Sequence, residues 1–299
     1  MNTNYIPLVS VIIPTYGRAD LLRRTIDSVL AQTYENIEIV VVNDNKLDSE
    51  HYQPTMIALQ RYDNNPKVRV IADGVNVGGS LARNKGVEAS QGDYISFLDD
   101  DDYYYENKIS KQLEHLTSNE IDVSVCGMDI DRKGNIINKT NISKPRIGKL
   151  SDFLLNGNCY TPMIFSKREV LTSIGCFTNA PRFQDHILML KILNNDFKVE
   201  IINENLFVHN DHSNLRISKN KINSYDVRWS IEKDLIFKLN KKEIKEYNFN
   251  KISARIAIYR DNYRKFKALK LALKNLFNIN SVASLLKWFR SLMVLLIKK

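Results

Sequence analysis

The first hundred residues alternate between short apolar runs and segments with helical spacing, and this alternation constrains the fold more than any other feature. Four apolar runs predict buried strands, at residues 8–13, 37–42, 68–71 and 94–98. The segments between them carry apolar residues at helical spacing, at residues 20–32, 54–62 and 80–89. Strands that alternate with helices in this way predict an α/β fold with a mostly parallel central sheet flanked by helices.

The pattern becomes less regular after Asp102. Further elements are predicted as strands at 121–125, 161–165 and 199–208 and as a short amphipathic helix at 184–193. From residue 224 the chain has a helical pattern almost to its end. Because ligands on sheets of this kind bind beyond the carboxyl ends of the strands, we expect the functional residues to follow the strands directly.

Four consecutive aspartates, Asp99 to Asp102, follow directly on the fourth predicted strand. Adjacent carboxylates repel one another at neutral pH, and a bound cation would offset that repulsion. Carboxylate oxygens suit Mg²⁺ or Mn²⁺ rather than a soft metal, and such an ion can bridge the two phosphates of a nucleoside diphosphate leaving group. The alternative is an acidic N-terminus for a helix that begins near Tyr105, for which one aspartate would suffice.

Three segments, in this order, resemble the family 2 glycosyltransferases with the GT-A fold. Residues 9–18 (VSVIIPTYGR) are similar to the opening strand and loop of that family, and residues 76–86 (NVGGSLARNKG) to its NxGxxxARNxG segment. Residues 92–102 (GDYISFLDDDD) are similar to the strand that leads to its DxD metal motif. The resemblance is close over about residues 8–110 and looser to about residue 216, and it implies the nucleotide-diphospho-sugar transferase fold.

The resemblance implies roles for individual residues on the donor side. Asp101 is the expected direct metal ligand with Asp99 as a second, and Asp99 or Asp100 is expected to hold the ribose or assist the metal. Asp44 is expected to accept a hydrogen bond from the base, most commonly uracil, although Asn43 stands where the family usually has an acidic residue. The other expected contacts with the nucleotide are Pro14, Thr15, Tyr16, Arg18, Asn76, Gly78, Arg83 and Arg216.

The resemblance also implies a general base and a late metal ligand. Inverting transfer needs a carboxylate that removes the proton of the acceptor hydroxyl. Asp185 stands at the position of the family's base, with Gln184 where the family has a glutamate. One of His209 and His212, with His209 preferred, is expected to complete the metal shell. Simpler roles stay open: Asp185 as a helix N-cap, the arginines as solvated charges and the histidines as ordinary surface residues.

The net charge of +9 is concentrated at the end of the chain. Residues 241–299 hold 15 Lys and Arg against 3 Asp and Glu, whereas the rest of the chain is mildly acidic. Lys287 and Arg290 interrupt the last apolar stretch around Trp288, so it predicts a helix that lies on an anionic membrane rather than one that crosses it. Packing on the catalytic domain or on a second subunit is the alternative. Few aromatic residues lie among the basic ones, which argues against nucleic acid as a partner.

Three cysteines, Cys126, Cys159 and Cys176, predict free thiols in a reducing compartment, because their number is odd and none has CxxC spacing. No basic and then apolar segment opens the chain, so no signal peptide is expected. With the basic tail, these features predict a cytoplasmic protein held peripherally at the inner face of the cell membrane.

Together the patterns predict an inverting, metal-dependent glycosyltransferase that moves a sugar from a nucleotide-sugar, most commonly a UDP-sugar, to a glycan or lipid-linked acceptor in surface polysaccharide synthesis. Residues 1–222 are expected to form the catalytic domain, with a nucleotide-binding half to about 105 and an acceptor half from about 106, and residues 223–299 a basic helical extension. The alternatives are a nucleotidyltransferase on a similar sheet, which would need a more basic loop after the first strand, and a non-catalytic membrane-associated module. The oligomeric state is left open.

Overall fold

A computed structural model describes residues 5–137, 143–211, 223–262 and 264–297 of the chain. Its contacts divide the chain into two compact units. The first comprises Met1–Ile147 and Asn158–Asn214, and the second Gly148–Gly157 and Leu215–Lys299.

The first unit is built on one mixed β-sheet. Its strands are β1 (Val9–Thr15), β2 (Ile37–Asn43), β3 (Val68–Ile71), β4 (Tyr94–Phe97), β5 (Tyr103–Tyr104), β6 (Val123–Arg132), β7 (Asn135–Ile137), β8 (Ile164–Lys167) and β9 (Val199–Asn210). They lie in the order β3-β2-β1-β4-β8-β6-β9-β5, and β7 pairs with β6.

The helices are α1 (Ala19–Leu30), α2 (Tyr52–Leu59), α3 (Gly79–Ala89), α4 (Lys108–Ser118), α5 (Leu150–Asn156), α6 (Arg168–Ser173), α7 (Gln184–Asn194), α8 (Asn223–Lys233), α9 (Lys241–Asp261), α10 (Lys265–Asn275) and α11 (Val282–Ile297). Short 3₁₀ turns occur at Gln60–Tyr62, Thr161–Met163, Ile236–Lys238 and Leu276–Asn278. Of the helices, α5 and α8 to α11 belong to the second unit.

The four strands β3, β2, β1 and β4 run parallel, as the alternation of strands and helices predicts. All seven residues of β1 are buried, because helices cover both faces of a parallel sheet and leave no polar side. The close fit of α3 on this sheet depends on Gly86, where a Cβ would collide with the side chain of Ile12. The carboxyl ends of β1, β2 and β4 therefore meet at one edge of the sheet, which is where ligands bind in such folds.

The later strands join this parallel core with mixed directions. β8 runs antiparallel to β4 and to β6, and β9 is parallel to β6. β5 pairs antiparallel with the far end of β9, Tyr103 opposite Val208. The residues directly after the aspartates are thus tied to the end of β9.

Two local predictions in this region are wrong. Residues 161–165 are predicted as a strand, but Thr161–Met163 form a 3₁₀ turn and the strand begins at Ile164. Pro162 favours the turn, since its fixed φ and missing N–H suit the start of a helical turn better than a strand pairing. The helix expected near Tyr105 begins at Lys108, with β5 inserted before it.

The second unit is a group of helices with a core of its own. Ile256, Ala268, Ala272 and Leu295 form a buried cluster between α9, α10 and α11. The indole Nε1 of Trp288 donates to the carbonyl of Ala272 at 2.7 Å, which fixes α11 on α10. Among the residues that the structure describes, no helix combines the length and the apolar character needed to span a bilayer.

Candidate active site

The loops after β1, β2 and β4 are joined by backbone hydrogen bonds at the carboxyl edge of the sheet. The backbone N–H of Asp44 donates to the carbonyl of Thr15 at 2.9 Å. The N–H of Gly17 donates to the Asn45 Oδ1 at 3.0 Å, and that of Tyr16 to the Asp100 Oδ2 at 3.1 Å. Three segments that are distant in sequence therefore form one rigid rim.

Arg18 neutralises two of the four aspartates. Its Nη1 lies 2.8 Å from the Asp100 Oδ1 and 2.8 Å from the Asp101 Oδ2. Both carboxylates are buried, whereas the guanidinium is partly open to solvent. Burial raises the pKa of Asp100 to about 6, although Arg18 lowers it, and the neighbouring Asp101 raises it further. The charge of Asp100 thus depends on a cation being close.

Arg83 on α3 connects the third aspartate to the start of α7. Its Nη2 forms a short ion pair with Asp99, and its Nη1 donates to the Gln184 Oε1 at 2.7 Å and to the Gly79 carbonyl at 3.1 Å. Its Nε is buried and has no hydrogen-bond partner within the described part of the chain. One guanidinium therefore holds two site segments together.

Asp102 is fully buried and pairs with His209 at the end of β9. Its two oxygens lie 3.0 and 3.1 Å from the His209 Nδ1, and Oδ1 also accepts from the N–H of Asn210 at 2.9 Å. Burial lowers the pKa of His209, but the Asp102 carboxylate outweighs it and raises that pKa to about 9. For Asp102 itself burial raises the pKa, and His209 opposes that shift.

The repulsion among the four carboxylates is therefore offset by Arg18, Arg83 and His209, and charge alone does not require a metal ion. Within residues 5–137, 143–211, 223–262 and 264–297, no set of three or more His, Cys, Asp or Glu side chains is placed to hold an ion. Asp99 and Asp101 still supply the hard oxygen donors that Mg²⁺ and Mn²⁺ take. An ion that arrives with a diphosphate needs only one or two such carboxylates, so the donor set suits it.

Asp44 anchors the loop that leads into α3. Its carboxylate accepts from the N–H of Val77 at 2.7 Å and of Gly78 at 2.9 Å, and the Asn76 Nδ2 donates to its carbonyl at 2.7 Å. Burial raises the pKa of Asp44, and these two N–H groups oppose that shift. Gly78 has φ +84°, a left-handed conformation that favours glycine, and no atom lies within 4 Å of the position a Cβ would take.

An open cavity of about 420 Å³ is lined in part by Asn76, whose side chain binds the backbone carbonyl of Asp44. Two of its lining residues, Leu47 and Val75, are exposed apolar side chains. A flat, partly apolar group could pack here while polar groups reach the rim. The complete lining is Lys46, Leu47, Asp48, Gly74, Val75 and Asn76.

Asp185 lies in the first turn of α7, directly after the Gln184 that binds Arg83. It is half-buried, and its Oδ1 accepts from the backbone N–H of His186 at 2.7 Å. Burial raises its pKa to about 6, opposed by that N–H and by Arg83 and reinforced by Asp99. Phe183, directly before the helix, has φ +63°, which costs a residue with a side chain about 1 kcal/mol. The carboxylate is thus held at a strained turn, ionised at neutral pH but more basic than an ordinary aspartate.

The structure brings most of the predicted residues to one edge of the first unit. Pro14 and Thr15 end β1 as buried residues behind this edge, and Tyr16 is exposed in front of it. Arg216 and His212, predicted as a phosphate contact and as the alternative metal ligand, lie outside the described residues. The roles assigned to all these residues stay predictions.

Two residues of α1 support the aspartates and carry no signal in the sequence. The Thr25 hydroxyl donates to the carbonyls of Asp100 and Asp102 at 3.0 and 2.8 Å, and the Arg24 Nη2 to that of Asp101 at 2.9 Å. They lie more than 70 positions away from their partners, so only the packing of α1 beside β5 could reveal them. Gln184 on α7 is a third supporting residue, through its bond to Arg83. In the sequence it is visible only as a replacement for the family's glutamate.

Comparisons with known proteins identify a family to which the chain is similar. The sequence model of Glycosyl transferase family 2 matches residues 10–186. An uncharacterized glycosyltransferase of Rickettsia felis is 39% identical over 199 residues, 63% of this chain and 32% of that protein. The chain thus spans about a third of the length of this relative. TuaG of Bacillus subtilis, a putative teichuronic acid biosynthesis glycosyltransferase, is 31% identical over 236 residues, 78% of this chain and 90% of that protein.

Among solved structures, the crystal structure of S. aureus TarS 1-349 in complex with UDP-GlcNAc is similar with a TM-score of 0.67. The two are 17% identical, and the match covers 96% of this chain and 80% of that one. This likeness confirms the predicted α/β fold of GT-A type, with a central sheet flanked by helices.

Proposed function

The chain belongs to glycosyltransferase family 2, and from this premise we propose that it transfers a sugar, with inversion, from a UDP-sugar to a glycan or lipid-linked acceptor in surface polysaccharide synthesis. The observation that carries the proposal is the bridge by Arg83, which contacts both Asp99 in the acidic segment and Gln184 beside Asp185. Donor-binding and proton-accepting carboxylates thereby come to one edge of the sheet. This assignment gives residues 1–222 the transfer chemistry, with a donor half to about 105.

The donor side is supported by the rim of loops around Asp44. The cavity between Leu47 and Val75 can receive a base, with the carboxylate of Asp44, which the N–H groups of Val77 and Gly78 hold in place, as the polar partner. Arg18, whose guanidinium is partly open to solvent, supplies positive charge and hydrogen-bond donors for a diphosphate. The similar fold of TarS, whose crystal structure contains UDP-GlcNAc, supports a UDP-sugar as the donor.

Asp101 and Asp99 would hold a divalent cation, Mn²⁺ or Mg²⁺. His209, predicted as a further ligand, is paired with Asp102 and has its pKa raised to about 9, so its charged imidazole would stay outside the metal shell unless it loses its proton. When bound, the ion would neutralise the diphosphate and so stabilise UDP as the leaving group. In the free chain the Arg18 guanidinium forms an ion pair with the Asp101 carboxylate at 2.8 Å. Arg18 thus keeps this carboxylate ionised and positioned until the donor binds.

Asp185 would be the general base. The acceptor oxygen forms a bond to the anomeric carbon while the bond from that carbon to the UDP oxygen breaks, and the hydroxyl proton passes to Asp185. A carboxylate with a pKa of about 6 is ionised at pH 7 and accepts a proton more readily than one with an ordinary pKa. Arg83 orients this end of α7 through Gln184, so the base and Asp99 are held by the same side chain.

The acceptor side is supported by the relatives and by the basic second unit. TuaG is described as a putative enzyme of teichuronic acid biosynthesis, which favours a surface polysaccharide as the product here. The cationic helices after residue 222 would keep the protein peripherally at the inner face of the membrane, where a lipid-linked acceptor lies.

The test is donor turnover with Mn²⁺ or Mg²⁺ over a panel of UDP-sugars, measured as UDP release. Asp101→Asn and Asp185→Asn are each expected to lower turnover by about 100-fold or more. Asp93→Asn is the matched control, since Asp93 precedes β4 at the opposite end of the same strand and contacts Tyr5 and Leu8. The control should keep its activity.

Calorimetry of UDP binding separates the metal from the base. Mn²⁺ should strengthen UDP binding to the wild type and to Asp185→Asn but not to Asp101→Asn. The proposal fails if neither ion strengthens UDP binding and Asp101→Asn retains full turnover.

A further inference from the structure

Helices α10 and α11 carry apolar side chains on two opposite faces. One face of each packs inside the second unit, through Ala268 and Ala272 on α10 and Trp288 and Leu295 on α11. Packing within the unit therefore accounts for one apolar face of each helix. The other face is exposed and needs a separate explanation.

On α10 the exposed apolar face runs through Phe266, Leu269 and Leu273. Phe266 is 91% exposed, Leu273 is also exposed and Leu269 is half-buried. Their spacing of three and four residues puts them on one side of the helix. Ala268 and Ala272 lie on the other side, and Phe277, in the 3₁₀ turn after the helix, is exposed as well.

On α11 the exposed apolar face is longer. Its members are spaced by three, four, seven and eleven residues from the first, which is the spacing of a single helical face. At 1.5 Å per residue the row extends for about 16 Å. They are Val282, Leu285, Leu286, Phe289 and Met293, all exposed. We call this row and its counterpart on α10 the exposed stripes.

The charged side chains of α10 and α11 themselves are all positive. Residues 265–275 and 282–297 contain no Asp or Glu, and their cations are Lys265, Lys267, Lys270, Lys274, Lys287 and Arg290. On α10, Lys270 and Lys274 project next to the stripe on one side and Lys265 on the other, as the helical angle of 100° per residue requires. The row on α10 is thus bordered by cations on both sides, and Arg290 lies beside the row on α11, whereas Lys287 faces α9 and binds Asn250. Neither helix carries an anion.

This charge distribution decides between the surfaces that could cover the stripes. Pairing with a second copy about a two-fold axis would bring identical cationic borders together, which is unfavourable. An anionic bilayer offers both an apolar layer for Phe266, Phe277 and Phe289 and negative headgroups for the lysines. Aromatic and aliphatic side chains between lysines are typical of helices that lie in the membrane interface.

We infer that α10 and α11 lie on the surface of an anionic phospholipid bilayer, with the exposed stripes in the boundary between headgroups and acyl chains. The inference rests on the proposed function in one respect, that the acceptor is presented at a membrane. It assigns the contact to named side chains and leaves the opposite faces of both helices in the core of the second unit.

The experiment measures co-flotation of the full-length protein with vesicles of phosphatidylcholine alone and of phosphatidylcholine with phosphatidylglycerol. The wild type should bind the second kind much more strongly, and added salt should weaken binding. Phe266→Ser with Phe289→Ser should reduce the partition coefficient by about tenfold or more. Phe237→Ser is the matched control, since Phe237 is 78% exposed in the same unit and belongs to neither exposed stripe. Its partition should equal that of the wild type.

Three outcomes would overturn the inference. The first is that the wild type fails to bind vesicles with phosphatidylglycerol. The second is that the double variant and Phe237→Ser lose vesicle binding equally. The third is that light scattering shows a wild-type dimer that the double variant abolishes while flotation is unchanged. Circular dichroism and the urea midpoint verify that the variants are folded. UDP binding is measured in parallel, so its absence in protein that does float would count against the proposed function alone.

Discussion

Asp185→Asn tests whether the site keeps a carboxylate charged at the expense of stability. Burial raises the pKa of Asp185 from 3.8 to about 6, and Arg83 and the N–H of His186 offset only part of that effect. Ionising the group is therefore harder in the folded chain than in the unfolded chain by about two pH units, or about 3 kcal/mol. Replacing Asp185 by a neutral side chain of the same shape should recover this free energy and remove the base.

The pH dependence gives the prediction its sign. Because the folded pKa is the higher one, the folded chain binds more protons than the unfolded chain between about pH 4 and about pH 6, and stability falls as the pH rises through that window. The cost of ionising Asp185 is about 1 kcal/mol at pH 4.5 and about 3 kcal/mol at pH 7.5. Asp185→Asn should therefore be more stable than the wild type by about these amounts.

Urea unfolding is monitored by far-ultraviolet circular dichroism at both pH values. Turnover is measured in parallel as UDP release from a UDP-sugar that the wild type uses. Asp63→Asn is the control, because Asp63 is exposed just after the 3₁₀ turn Gln60–Tyr62. The control should change the free energy of unfolding equally at both pH values. A destabilised Asp185→Asn at pH 7.5, or the same gain at both pH values, would refute the reasoning. Unchanged turnover would refute the assignment of the base.

The remaining predictions concern the metal, the sheet and the pH dependence of turnover. Arg18→Gln should raise the Mn²⁺ affinity of the nucleotide-free chain several-fold in calorimetry, because Arg18 no longer competes for Asp101; an unchanged affinity would contradict this competition. Gly86→Ala should lower the free energy of unfolding by about 1–3 kcal/mol, since its Cβ would collide with Ile12, and a urea midpoint equal to that of the wild type would count against the tight fit of α3 on the sheet. The kcat/KM for transfer should fall as the pH drops below about 6, where Asp185 becomes protonated, whereas a flat profile across that pH would exclude it as the titrating base.

The parallel half of the sheet could be predicted from the sequence because its signals are local. Residues 37–42, for example, are apolar except for Glu38, and the intervening segments repeat apolar residues at helical spacing. Each element can therefore be predicted from a few consecutive positions. The four aspartates could be located for the same reason, since they follow one of these runs directly. The 3₁₀ turn at Thr161–Met163 was missed because a short apolar segment fits a strand or a turn equally well, and Pro162 is the one cue that separates them.

What the sequence determined by itself is therefore the class of fold, the family, the string of aspartates at the end of β4 and the basic apolar helices after residue 222. Which cation neutralises which aspartate depends on how distant segments pack: Arg18 pairs with Asp100 and Asp101, Arg83 with Asp99 and His209 with Asp102. The partners in these pairs are up to 107 positions apart, and strand order, which no local pattern encodes, brings them together. The same holds for α10 and α11, whose apolar residues are visible in the sequence, whereas the packing of the second unit decides which face is buried and which stays exposed.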